Sequence, residues 1–314
     1  MSALRRYLLP VFAAFITLAI GIALGAGPLQ QAEGSDDSGS LRTTNQKLRD
    51  QLAASNDARV FDRAWSDALA PGLLTGRLTD AHITIVVLLG VSSASVDATR
   101  QAIQAAGGST AMVVSVAAAV LDSAKKTYVS SVADSSLAGA DGVTAPPEDD
   151  VYPRFGTVLA RAYVSTSDDT RYDATAAKID SELQGANLVE LDQAPLRRGS
   201  LVVVLASGAH GDDKVVTAAN VIAADLVTAL ARAGDAVVVT TPATGRATGG
   251  LLADLADNRD VARLPVSTAN AGTSSSGLVT TVYALATALA GRPGDYGVVD
   301  GEPVLPPGVE SATD

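Results

Sequence analysis

The chain has 314 residues, 47% hydrophobic and 18% charged, enough for a packed core, so intrinsic disorder is not its default state. Its formal net charge of −11 would repel nucleic acid and anionic lipid surfaces, and no nucleic-acid partner is expected. Cysteine is absent, which excludes disulfides, zinc–thiolate centres and thiol chemistry.

Arg5 and Arg6 precede Tyr7 to Gly27, 21 residues without a charge. At about 1.5 Å per residue that run can cross a hydrocarbon core of roughly 30 Å. The residues after it are neutral and then acidic, so the positive-inside rule makes 1–27 a cytoplasmic tip and transmembrane anchor and places the bulk of the chain outside the cytoplasm, in the cell envelope. A cleaved signal peptide competes, since Ala23-Leu24-Gly25 offers small residues at suitable positions; a cut after Gly27 would leave Pro28 at the new terminus.

Residues 28–40 form a polar spacer rich in Gly, Ser and acids. Leu41, Asn45, Leu48 and Leu52 then alternate steps of four and three, the seam of a juxtamembrane coiled-coil helix over 41–70. With Leu at d-type positions and Asn45 at an a position, the seam suits parallel pairing with a copy of itself or with a coiled-coil partner in the envelope. It is too short to pair firmly without help from the membrane span or the partner. Phe61, Trp65 and Leu69 continue as an i, i+4, i+8 stripe expected to dock the helix end onto the domain, with Trp65 in the core. Pro71-Gly72 is expected to end the helix.

Residues 71–305 read as an α/β domain with two βαβ-like units, about 80–120 and 198–295, in a doubly wound, mostly parallel sheet. In the first unit the continuous apolar run His82 to Leu89 is a strand covered on both faces, followed by a helix from Val96 to Ala106 and a strand from Ala111 to Val116. Tyr128 to Asp150 loses periodicity and reads as an insertion or lid, before helices near Phe155 to Tyr163 and Ala174 to Glu182. The second unit has a strand at Ser200 to Ala206, a long helix from Lys214 to Arg232 and strands at Ala236 to Thr240 and Val266 to Thr268. It closes with a helix from Leu278 to Ala290, too short and too polar for a second span. Residues 306–314 are expected to be a flexible tail.

Open α/β sheets bind ligands at the carboxyl ends of their strands, which selects the loops Gly90 to Ser95, Ser207 to Asp213 and Thr244 to Gly250. None carries a Walker A loop or a complete G-x-G-x-x-G fingerprint, and plain turns are the favoured reading. Ser207, His210 and Asp212 have the composition of a triad but occupy a single loop without a nucleophile elbow, so capping of the next helix by Asp212 or Asp213 explains them better. His82, at the start of a strand, and His210 are the weak metal-ligand candidates. No residue is assigned a catalytic role.

The segments VFAAFITLAIGIALGAG, LRTTNQKLRDQL, an FD-x-AW helix and GLVTTVYALATALAGRPGDYG, in this order, resemble the actinobacterial MctB-like copper transporter family over nearly the whole chain. The resemblance implies an envelope protein of copper homeostasis, with copper as its cargo. Copper(I) prefers Cys or Met, and copper(II) takes imidazole with oxygen donors. With no Cys, only Met112 beyond the initiator and only two His, the chain lacks a dedicated copper chaperone site, and one helix cannot enclose a pore. The alternative is a single-pass adaptor that uses its coil and α/β domain to bind envelope or cell-division partners.

Overall fold

A computed structural model describes residues 29–141 and 143–309. The expected anchor at Tyr7 to Gly27 lies outside the described residues. The chain divides into two compact units, residues 1–62 and 63–314.

Helix α1, Leu29–Leu74, runs through the spacer residues and the seam. In the first unit Leu41, Asn45, Leu48 and Leu52 are all exposed. Pro71 does not end the helix. A proline so near the last turn removes one N–H, while its own carbonyl still accepts from the Thr75 amide (3.3 Å) and hydroxyl (2.8 Å). Trp65 is not in the core either: it and Leu69 are 60% and 46% exposed, and Phe61 in the first unit is 67% exposed. Within the second unit the next stripe round the helix is buried instead, with Ala70 and Leu74 in the core and Leu73 packed against it. Spacing identified a stripe without saying which one meets the domain.

The second unit is built on one eight-stranded sheet. In chain order its elements are β1 His82–Val87, α2 Ser93–Ala105, β2 Ser109–Val116, α3 Ala118–Leu121, α4 Lys126–Leu137, α5 Val151–Tyr163, α6 Ala174–Gly185, β3 Val189–Leu191, β4 Leu201–Leu205, α7 Lys214–Ala233, β5 Ala236–Thr240, α8 Leu251–Asp257, β6 Val266–Ala269, α9 Ser275–Leu289, β7 Asp295–Val299 and β8 Glu302–Val304. The spatial order is β3-β2-β1-β4-β5-β6-β7-β8. The strands from β2 to β7 pair in parallel, and β3 and β8 add antiparallel edges. The two βαβ units therefore share one mostly parallel sheet.

Alternation along the central strands explains why apolar residues occupy both of their faces. Val86, Val114, Val202, Val204, Val237 and Val239 face one core, covered by α3 to α8. Ile83, Ile85, Val113, Leu201, Val203 and Val238 face the other, covered by the end of α1, α2 and α9. The stretch expected to be an insertion or lid belongs largely to the first core. Residues 126–137 form α4, whose Val129 and Ala133 are fully buried, and α5 contributes Phe155, Val158 and Leu159. Burial against α5 overrides the modest helix propensity of KTYVSSVADSSL. Helix α7 is the one described helix long and apolar enough to cross a membrane by length and composition. Most of its residues from Asn220 onward are buried, and it serves as a core helix. Residues 306–309, assigned to a flexible tail, pack back: Pro306 is buried and Val309 lies against the second core.

Candidate functional site

Chain connectivity reverses between β1, which leads to β2, and β4, which leads to β5, so the topological switch point lies where these two central strands meet. Loops from four strands converge above it around a cavity of about 170 Å³, lined among others by Gly90, Ser92, Ser207, Thr241 and Thr273. Gly90 has φ +85°, and a Cβ there would sit 3.1 Å from Ser207 Cβ, so glycine lets the β1 and β4 loops abut. Most hydroxyls at and beside the cavity already have partners. Ser92 accepts from the Ser95 amide (3.2 Å) to cap α2, Ser274 accepts from the Gly277 amide (3.2 Å) to cap α9, and Thr273 bonds Ser95 (3.1 Å) across the gap. Among the described residues, no cationic side chain and no nucleophile–base pair lines this space.

The two glycine-rich loops beyond β4 and β5 serve each other. The Gly211 amide donates to Thr248 O (3.2 Å), and a Cβ on Gly249 would lie 2.5 Å from Gly211 O. Buried Asn220 on α7 staples them, donating through Nδ2 to Ala209 O (3.1 Å) and Gly249 O (2.8 Å). The glycines of Thr244 to Gly250 thus permit loop-to-loop contact rather than a phosphate cradle. Arg246 turns toward the sheet, donating to Thr268 Oγ1 (2.8 Å) and standing 3.5 Å from Asp295. Ser207, His210 and Asp212 form no triad: His210 Nδ1 bonds Gly208 O (2.8 Å), and Asp213, not Asp212, caps α7 through the Val215 amide (2.7 Å).

The two histidines lie at opposite ends of the sheet. His82 begins β1, whereas His210 follows the far end of β4, and the strands run parallel with Ile83 opposite Leu201. A five-residue strand, about 16 Å, separates those ends. His82 is half-buried and fully engaged. Arg197 can only donate, so its Nη1 at 2.5 Å makes Nε2 the acceptor, and Nδ1–H then donates to Ser109 Oγ (2.6 Å). Burial, and next the Arg197 charge, push its pKa down against the opposing pull of Asp80. Met112 is sealed inside β2. Among the described residues no group of three or more His, Asp or Glu side chains is placed to hold a metal ion.

A larger cavity, about 520 Å³, opens at the other end of the sheet, where β4 and β5 begin, and no motif in the sequence announced it. Arg161 from α5, Arg232 from α7 and Arg198 just before β4 line it, with Asp169 and an apolar wall that includes Val143, Pro146 and Val164. Arg161 pairs with Asp173 at 2.8 Å, while Asp169 pairs chiefly with exposed Arg171 at 2.8 Å, which holds its carboxyl down at about 2. The pair Arg197-Arg198 ahead of a strand in an acidic chain was the only available cue.

A family model described as "Copper transport outer membrane protein, MctB" matches residues 1–307, and the chain belongs to that family. A search of curated proteins finds no match.

Proposed function

We propose that this member of the MctB family acts in copper homeostasis as an envelope-anchored component that does not itself form the conduit. The observation that carries this reading is the family match over residues 1–307, whose description names copper transport and an outer membrane. The fold limits how the chain takes part. Its eight-stranded sheet is open, with edges at β3 and β8, and is covered by helices, whereas a membrane barrel closes its strands into a ring with no edge. Copper handling by the described residues would rest on two separated histidines, one of them blocked by Arg197. We therefore assign the passage of copper to a partner or to an assembly of copies, and no catalytic role to any residue. Residues Tyr7 to Gly27 would hold the chain in the membrane with its bulk outside the cytoplasm.

The exposed Leu41, Leu48 and Leu52 favour a second, compatible reading, in which α1 pairs with a copy of itself or a coiled-coil partner and so recruits the conduit. Growth of a deletion strain across a copper series tests both. Copper sensitivity of the deletion strain that the intact chain relieves supports the first. Failure of a Leu48→Asp chain to restore tolerance supports the second. Indifference of the deletion strain to copper overturns both.

A further inference from the structure

The arginine-lined cavity at the start of β4 and β5 has no part in the copper reading. Two of its arginines have a local explanation, since Arg161 and Arg232 occupy the last turns of α5 and α7, where a cation offsets the helix's partial negative charge. Arg198 has none. Its side chain is 8% exposed, and burial first, then the neighbouring Arg161 charge, push its pKa down. The nearest carboxylate, Asp169, is 3.8 Å away and committed to Arg171. Arg198 donates to the carbonyls of Arg171 (2.7 Å), Asp169 (3.1 Å) and Val164 (3.4 Å), which accounts for three of its five N–H groups. Arg161 Nη1 is buried without a hydrogen-bond partner among the described residues, and Arg232 meets only Asp260, at 3.6 Å. Guanidinium groups from three separate elements therefore surround one cavity; Arg161 is already paired through Nη2 with Asp173, but its Nη1 and the remaining N–H groups of Arg198 are donors to spare, and a buried guanidinium with unanswered donors is costly.

We propose that this cavity binds the phosphoryl group of a small organic phosphate, held by Arg198 and Arg161 with Arg232 at its rim. Guanidinium forks match phosphate oxygens, and a phosphoryl group offers three acceptor oxygens to the spare N–H donors where a carboxylate offers two. The cavity's 520 Å³ lies in the range of small-molecule sites and far exceeds one phosphate, and Val143, Pro146 and Val164 supply the apolar wall for the remainder of the molecule. The inference stands whether or not the copper reading holds.

The test is calorimetric titration of the full chain, purified in detergent, with phenyl phosphate, and with succinate and phenyl sulfate as comparators. Saturable binding of phenyl phosphate ahead of both comparators is expected. Arg232→Gln, at a half-exposed position, should weaken it about tenfold, the value of one charge-assisted bond, with an unchanged melting curve. Arg198→Lys, which keeps the charge but loses the fork, should weaken it as well. Displacement of phenyl phosphate by short-chain phosphatidic acid in the micelles, but not by glycerol phosphate, would place the phosphoryl group on a lipid; the reverse would place it on a soluble ester. Absence of saturable binding in the millimolar range, binding unaffected by Arg232→Gln, or succinate binding as tightly as phenyl phosphate would overturn the proposal.

Discussion

Replacing Gly199 with alanine tests how the second unit joins its two halves. Gly199 bridges Val164 just before β4, and a Cβ there would sit 2.5 Å from Thr84 Oγ1 and 3.0 Å from Thr84 Cβ, with the Thr84 backbone amide closer still. Ordinary contact would need a shift approaching 1 Å between central strands about 4.8 Å apart. The bond from the Gly199 amide to Thr84 Oγ1 (3.2 Å) would break, and that from the Ser200 amide to His82 O (2.9 Å) would stretch. Overpacking of about 1–3 kcal/mol plus about 1 kcal/mol for each weakened bond gives a loss of about 3–5 kcal/mol. In a domain of this size that lowers the melting temperature by about 6–20 °C. Gly185 is the control: a Cβ there meets nothing within 4 Å, and Gly185→Ala at the end of α6 should be neutral or slightly stabilising. Circular-dichroism melts of the full chain give both numbers. A Gly199→Ala chain within about 1 kcal/mol of wild type, below the overpacking range, or a Gly185→Ala chain equally destabilised, would refute the reasoning.

Asn220→Ala should cost about 1–3 kcal/mol and, in hydrogen exchange, deprotect residues 207–213 and 244–250 together; independent behaviour of the two loops would show that Asn220 is no staple. Asp225, whose carboxyl is raised above 3.8 by burial and next by Asp150, gives the wild type a contribution that is complete below that value and lost as pH rises through the raised pKa. Asp225→Asn should therefore be more stable than wild type at neutral pH and lose that advantage in acid, as urea melts at the two pH values would show. In copper(II) titrations followed by electron paramagnetic resonance, any weak imidazole signal should disappear in His210→Ala and persist in His82→Ala; the opposite pattern would mean that Arg197 yields to the metal. Leu48→Asp should reduce chemical cross-linking between copies of α1, and unchanged cross-linking would remove the seam from the account.

The parts of the fold that showed in the sequence are those burial writes twice. HITIVV, LVVVL and AVVVT are dominated by Val, Ile and Leu on both faces because each face of the central strands meets a helical layer. The outer strands β3, β7 and β8 did not show, since VEL and EPV are short, DYGVV is partly exposed, and none of the three carries a period. Helix α4 was hidden by serines and a β-branched stretch that only contact with α5 makes helical. At the site level the loops after the strands were placed correctly, but whether their glycines cradle a ligand or one another depends on the partner loop, which no spacing reveals. The arginine cavity was illegible for a related reason. Its three cations lie 34 or more residues apart, on three elements, and only the fold brings them together.

Total cell-associated copper, measured by elemental mass spectrometry in a deletion strain and in the same strain carrying the gene back, across a copper series, tests the central claim most directly. The account predicts that deletion changes cell copper and that the intact chain, but not one lacking Tyr7 to Gly27, restores it. Copper content indistinguishable among the three strains at every concentration would contradict it.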